Sequence, residues 1–98
     1  MFDKLGQLKD LWKLKGQMED LKKRMDAMVI KTDSPKHMVE VIMNGSMEVK
    51  EVRVDALVKN LSEEELAEEI KVVFNKAIRE TQIMAAQAMG NNLGIPNV

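Results

Sequence analysis

The side chains in this sequence best suited to bind a charged ligand are cationic, and they concentrate near the N-terminus. Residues 1–32 hold eight Lys or Arg and five Asp or Glu, a net charge of +3, whereas residues 33–98 hold seven and eleven, a net charge of −4. Ammonium and guanidinium groups pair with phosphates, and the counterions released make such binding salt-dependent. The same pattern is also typical of a solvated helix face whose charges nearby acids balance. The candidate phosphate-binding residues are Lys4, Lys9, Lys13, Lys15, Lys23, Lys76 and Arg79.

No pattern typical of a catalytic or metal site accompanies these cations. His37 is the only histidine, and the sequence places beside it neither a nucleophile nor a carboxylate that would orient it as a general base. The acidic cluster at residues 63–69 is more typical of helix capping than of metal binding. The chain has no Cys, which excludes disulfides and thiolate metal ligands. We therefore expect a protein that is not an enzyme and has no catalytic residues, no metal and no cofactor.

The composition is that of a small protein with a modest core. The 98 residues suit a single domain, 1–98, and 45% of them are hydrophobic. Nine Met residues provide flexible core filling where aromatic residues are almost absent. No apolar run reaches the roughly 20 residues of a membrane span, and the N-terminus lacks the apolar segment of a signal peptide. We expect a cytoplasmic protein without a membrane or a small-molecule substrate as partner.

The elements that must position the cations begin with a long helix, predicted over about residues 3–27. From Leu14 onward, apolar residues recur at alternating steps of four and three, the pattern of a short coiled-coil seam. We expect this seam to form a self-association or helix-pair core, while a groove for a partner helix is the alternative. Its members are Leu14, Met18, Leu21 and Met25.

The middle of the chain predicts a three-stranded antiparallel meander, with strands at about 28–33, 37–44 and 46–55. A first turn is expected at Asp33-Ser34-Pro35-Lys36, where Pro restricts φ. A second is expected at Asn44-Gly45, because both residues tolerate a positive φ. Alternating apolar residues are expected to face inward from the second and third strands, namely Val39, Val41, Val52 and Val54.

A second long helix is predicted over about residues 62–89. Ser62 and Glu65 form a capping box at its start, Phe74 lies on its apolar face, and Gly90 is expected to end it before a loose tail, 90–98. Helices of roughly 25 to 30 residues are much longer than strands that span roughly 20 Å, so their apolar stripes must overhang the sheet. The predicted fold is therefore α+β (α-β-β-β-α), in a homodimer with projecting helix pairs that cover these stripes.

This order of elements resembles the YbaB/EbfC family of bacterial nucleoid-associated proteins. The resemblance implies a homodimer whose joined sheets carry helices as pincers around duplex DNA, located at the nucleoid, with a role in nucleoid organisation or gene regulation. The chain departs from the family in the turn at residues 33–36, which is usually Gly-rich, and in its last helix, where Arg79 is the final cation. The motifs that carry the resemblance are Met38-Val39-Glu40-Val41-Ile42-Met43-Asn44-Gly45, Val52-Arg53-Val54-Asp55, Phe74-Asn75-Lys76-Ala77 and Met89-Gly90-Asn91-Asn92-Leu93-Gly94-Ile95-Pro96.

Two functions remain open at this point. The first is a DNA-binding dimer that contacts the phosphate backbone and reads few bases, since reading base edges needs dedicated side chains in a groove. The second is a protein–protein adaptor or scaffold dimer without a nucleic-acid role, which the net charge of −1 and the Met-rich stripes favour.

Overall fold

A computed structural model describes residues 4–92 of the chain, with side chains for residues 6–90. The α+β fold and the element order predicted from the sequence are confirmed. One element was not predicted, a short 3-10 helix between the sheet and the last helix. The elements are α1 (Lys4–Ala27), β1 (Ile30–Asp33), β2 (Val39–Met43), β3 (Val49–Val54), the 3-10 helix (Ala56–Asn60) and α2 (Glu63–Asn92).

The three strands form one antiparallel sheet in the order β1-β2-β3, with β2 in the centre. Helix α2 packs over β1 and β2, and the core forms between the helix and the sheet because the inward residues of β2 are apolar. Across β2 and β3, Val39 pairs with Val54 and Val41 with Val52. The core contains Val39, Val41, Met43, Val73 and Ala77, with Phe74 and Ile78 packed against it.

Strand β3 lies beyond the reach of α2, and all six of its residues are exposed. Val52 and Val54 share the inner face of the sheet with their partners on β2, as the alternation predicts, yet they are 43% and 58% exposed. The expectation that they are buried is therefore not met within one protomer. Its cause is that one helix covers two strands and leaves the third bare.

The turn between β1 and β2 is organised by a buried hydroxyl. Ser34 is 1% exposed, and its Oγ accepts hydrogen bonds from the N–H groups of Met38 and Val39 at 3.1 and 3.0 Å. The N–H of His37 donates to the Ser34 carbonyl, which makes Pro35 the second residue of the turn, where its fixed φ fits best. His37 completes the turn with a φ of 57°.

In the hairpin between β2 and β3, a buried polar side chain again accepts hydrogen bonds from the backbone. The turn differs from the one predicted. Asn44 is 1% exposed, and its Oδ1 accepts from the N–H groups of Ser46 and Glu48 at 3.0 and 3.1 Å. These bonds widen the turn, so that β3 begins at Val49 and not at Ser46. The left-handed residue is Met47, with a φ of 66°, and not Gly45.

The start of α2 is confirmed, and its end is corrected. Ser62 Oγ accepts from the Glu65 N–H, and the Glu65 carboxylate accepts from the Ser62 N–H, both at 3.1 Å. Helix α2 continues through Gly90 to Asn92, because a single Gly costs a helix only about 1 kcal/mol. The predicted loose tail is therefore wrong for residues 90–92, and the remainder of it lies outside the described residues.

Candidate nucleic-acid interface

Helix α1 projects from the sheet and is attached near its C-terminal end. Residues 7–20 are exposed, whereas Leu21 and Met25 are partly buried. Contact between α1 and α2 is confined to a short stretch. The 24 residues of α1 span about 36 Å at about 1.5 Å per residue, in a molecule 72 Å long. Helix α1 is thus held near one end, and most of its surface is open to solvent.

Helix α2 projects from the same end of the sheet as α1. Near the start of α2, the Glu69 carboxylate accepts from the N–H of Lys36 in the β1–β2 turn, at one end of the sheet. Further along α2, Thr81 Oγ1 donates to Met43 Sδ at the other end, where β2 finishes. Residues 82–92 therefore continue beyond the sheet for about 16 Å. The β2–β3 hairpin lies at this end, and its Gly45 N–H donates to the carbonyl of Met25 in α1.

Three of the candidate cations form an exposed set on α1. Lys9, Lys13 and Lys23 are all exposed. Lys9 and Lys13 lie four residues apart on one side of the helix, and the helical period places Lys23 on that same side, away from the apolar seam. Within residues 4–92, none of the three forms an ion pair. These ammonium groups can meet a phosphate without first leaving an acidic partner.

Lys15 differs from this set because it lies beside the apolar seam. Its Nζ is 4.0 Å from a Glu19 carboxylate oxygen and 5.6 Å from the centroid of the Trp12 ring. An exposed ion pair of this kind contributes about 0–1 kcal/mol, so Lys15 can readily exchange Glu19 for a phosphate. Lys4 begins α1, and its side chain lies outside the described residues.

Lys76 and Arg79 form a separate group on the part of α2 that packs on the sheet. Both residues are exposed, and both precede Thr81, which contacts the end of β2. Lys9 and Lys13, by contrast, lie roughly 18–24 Å along α1 from its attachment at Met25. Within one protomer the predicted cations are therefore divided between two places. Lys31, which the sequence patterns did not single out, borders the same shallow groove as Lys76.

The apolar seam of α1 is largely uncovered within the protomer. Its members Leu14 and Met18 are 52% and 62% exposed, and Leu11, about one turn before Leu14, is 60% exposed, because α2 meets only the base of α1. The overhanging part of α2 has no charged residue, and it also exposes Ile83, Met84 and Met89. Apolar surface of this extent on a small protein marks contact with another molecule.

The acidic cluster lies at the opposite end of the molecule from the projecting helices and is engaged in structural contacts. Lys36 Nζ donates to Glu65 at 2.7 Å, and this hydrogen bond is the main reason that the pKa of Glu65 falls to about 2. Glu69 is 3% exposed and accepts the Lys36 N–H at 2.9 Å, while Glu68 pairs with Lys71. Across residues 4–92, no group of three or more acidic, His or Cys side chains is arranged to hold a metal.

His37 has a carboxylate neighbour that its sequence context does not reveal. Its Nδ1 lies 3.4 Å from an Asp33 carboxylate oxygen, with the two side chains 78% and 48% exposed. The turn, by placing His37 in the left-handed region, brings the ring back over residue 33. Both side chains are too exposed for the enclosed environment that tunes a catalytic base.

No helix within residues 4–92 has the length and apolarity to cross a bilayer.

Comparison with known proteins places this geometry in a family context. The YbaB/EbfC DNA-binding family model matches residues 1–94. A nucleoid-associated protein of Gemmatimonas aurantiaca is 32% identical over 89 residues, which cover 91% of this chain and 80% of that protein. Another, from Afipia carboxidovorans, is 28% identical over 102 residues and covers 100% and 97% of the two chains. The crystal structure of an uncharacterized protein from Helicobacter pylori has the same fold, with a TM-score of 0.76 at 20% identity over 95% of this chain and 99% of that one.

Proposed function

This chain belongs to the YbaB/EbfC DNA-binding family, and we propose that it binds duplex DNA as a homodimer through phosphate contacts made by α1. The family and the names of its relatives support a nucleoid-associated DNA-binding protein. The finer proposal concerns which surface meets the duplex and in what assembly. Its setting is the bacterial nucleoid, where such a grip would contribute to nucleoid organisation or to gene regulation.

The observation that carries this proposal is the exposed cationic face on a projecting helix. Lys9, Lys13 and Lys23 are exposed and, within the described part of the chain, without ion pairs, and they lie on the helix that stands away from the sheet. The acidic cluster is at the other end, where like charge repels phosphates. A duplex therefore meets favourable charge at α1.

The bare strand β3 supports the homodimer. As the last strand of the sheet it offers an unpaired edge, and such an edge favours pairing with another chain. Val52 and Val54 lie exposed beside that edge. A second copy seated there would cover both valines and would place two copies of α1 on one assembly, so that each DNA contact occurs twice.

Contact with the phosphate backbone of DNA favours binding that depends little on the base sequence. Phosphates are alike at every step, whereas reading bases needs side chains placed in a groove. The overhanging part of α2 offers Gln82 and Gln87, both exposed, as polar groups beside such a grip. We expect moderate affinity that depends steeply on salt.

The test measures the anisotropy of a labelled random-sequence duplex between about 50 and about 300 mM salt. We expect the Lys9→Gln/Lys13→Gln/Lys23→Gln variant to bind more weakly and with a shallower salt dependence, by about 0.9 in the log–log slope for each phosphate that is no longer neutralised. The matched control, Lys59→Gln/Lys71→Gln, alters two exposed cations at the acidic end. It should bind as the unaltered protein does.

Sedimentation equilibrium on the same samples establishes that both variants keep the assembly state of the unaltered protein. Equal binding by the triple variant and the control would contradict the role of α1. A dimer that bound no duplex at about 50 mM salt would contradict DNA binding altogether.

The second candidate function is a protein–protein scaffold. The exposed seam residues Leu14 and Met18, together with the exposed Leu11 beside them, favour it, because they give α1 an apolar side that is suited to another protein helix. Substituting Leu14→Ser/Met18→Ser discriminates between the two functions. DNA binding through the opposite, cationic face would persist in this variant, whereas a scaffold would no longer hold its partner.

A further inference from the structure

The β2–β3 hairpin, residues 44–48, contacts the C-terminal end of α1. The N–H of Gly45 donates to the carbonyl oxygen of Met25 at 2.8 Å, and the N–H of Met28 donates to the same oxygen at 3.1 Å. Carbonyls in the last turn of a helix lack intrahelical partners. The hairpin supplies a donor to one of them and thereby joins α1 to the sheet.

Gly45 makes this junction possible because it has no side chain. A Cβ at this position would lie 3.0 Å from the Met25 carbonyl oxygen, 3.1 Å from the Met25 Cα and 2.6 Å from Met28 Sδ. The thioether of Met28 can move, but the backbone of Met25 moves only if α1 itself shifts. The φ of Gly45 is outside the left-handed region, so the position requires glycine for space alone.

A second contact holds α1 from the side of the same hairpin. Ser46 Oγ donates to Asp26 Oδ1, and Lys22 Nζ donates to Asp26 Oδ2 at 3.1 Å. The Ser46 hydrogen bond is the first cause, and Lys22 the next, of a pKa of Asp26 below its ordinary value. The acceptor is therefore a charged carboxylate at neutral pH, which makes the hydroxyl contact a charge-assisted hydrogen bond.

We propose that this hairpin fixes the angle between α1 and the sheet, and that Gly45 and Ser46 are positioning residues for the grip of α1 on DNA. The part concerning DNA rests on the proposed function. A tilt of about 5° at one end of a helix of about 36 Å displaces its tip by about 3 Å. That displacement is close to the rise of about 3.4 Å along the duplex axis between successive phosphates of one strand, so small changes at the junction misalign the cations.

The first measurement concerns the angle itself and needs no DNA. The chain has no Cys, so Gln7→Cys and Lys71→Cys place two spin labels on exposed sites, one on α1 and one on α2. Diluting the labelled protein with an excess of unlabelled protein restricts the distance measurement to pairs within one protomer. In this background, Gly45→Ala should shift or broaden the distance distribution by up to about 3 Å.

Gly16→Ala is the matched control, because it makes the same chemical change on α1 itself. A Cβ at Gly16 would have no neighbour within 4 Å, so the label distance should not change. Ser46→Ala is the second test variant and removes one hydroxyl without altering charge. Ser46→Thr keeps the hydroxyl and should restore the distance.

The second measurement is duplex affinity, with the dimer checked by sedimentation. We expect affinity about tenfold weaker for Gly45→Ala and about threefold weaker for Ser46→Ala, with Gly16→Ala and Ser46→Thr unchanged. An unchanged label distance in both test variants would overturn the junction. A changed distance with unchanged affinity would overturn the positioning role.

The junction between α1 and the hairpin and its role in DNA binding can be contradicted separately. If the unaltered protein binds no DNA, the proposed function fails, while the label distances still test the junction. If Gly45→Ala does not fold, Ser46→Ala decides the question, because it removes only a partly exposed hydroxyl and leaves the backbone hydrogen bonds in place.

Discussion

Val41 and Val52 face each other across strands β2 and β3, yet Val41 is fully buried and Val52 is 43% exposed. The pair marks the boundary of the protomer core, since α2 covers β1 and β2 but not β3. Apolar side chains on the uncovered side of this boundary forgo stabilisation of about 25 cal/mol for each Å² left in water. A second chain that covered them would recover it.

The first prediction concerns the face of β3. Val52→Asp should weaken the proposed homodimer at least about tenfold, because desolvating an unpaired carboxylate is costly and the packing of Val52 in the proposed interface is removed. The protomer should keep its secondary structure, since this side chain is exposed. Sedimentation velocity over a range of concentrations measures the first effect, and circular dichroism checks the second.

Val52→Thr provides the control for this change, because it keeps the shape of valine and adds no charge. It should weaken the dimer less than Val52→Asp does. If the Val52→Asp protein sedimented as a dimer with unaltered affinity, the dimer contact would have to lie elsewhere.

The second prediction concerns the left-handed residue of the β2–β3 hairpin. Met47 has a φ of 66°, a conformation that costs non-glycine residues about 1 kcal/mol or more. Met47→Gly should therefore raise the free energy of unfolding by about 0.5–1 kcal/mol, measured by urea denaturation at a fixed protein concentration. Met47→Ala removes the same side chain but keeps the Cβ, so it should not stabilise. Equal stability of the two variants would show that the turn holds no such strain.

The third prediction concerns pH and the start of α2. Contact with Lys36 lowers the pKa of Glu65 from 4.5 to about 2. A folded-state pKa below the unfolded one stabilises the fold above the unfolded pKa, and this contribution is lost as pH falls from about 4.5 towards about 2. Glu65→Gln keeps an acceptor for the Ser62 N–H but cannot titrate, so its unfolding free energy should vary less across that range. Glu64→Gln, on an exposed neighbour, serves as control and should retain the slope of the unaltered protein.

Sequence patterns predicted the elements well where the signal was local. The capping box at Ser62 and Glu65 located the start of α2 to within one residue, because both of its partners lie within one helical turn. The hairpin at Asn44-Gly45 was recognised, but its form was not. Which backbone groups the buried Asn44 amide would cap depends on its rotamer, and a dipeptide motif does not specify that.

The candidate interface was harder to predict because it depends on the angle between helices. The apolar seam of α1 was expected to find cover in a helix pair, but α2 of the same protomer meets only its base. Periodicity shows which side of a helix is apolar and carries no information on where the helix points. The direction of α1 also separates Lys9 from Lys76. Lys31 was not predicted as a candidate because its neighbours in the groove include residues of α2, which is distant in sequence.

The distribution of charge along the molecule affects how it arrives at a polyanion. Cations lie on the projecting α1, and carboxylates gather where α2 begins, so the protomer is an electric dipole although its net charge is only −1. In the electric field of a duplex, such a dipole experiences a torque that turns its positive end, α1, towards the phosphates. A protomer that approaches with its acidic end first is repelled. A nearly neutral protein can in this way make oriented encounters with DNA and avoid the indiscriminate adhesion of a strongly basic one.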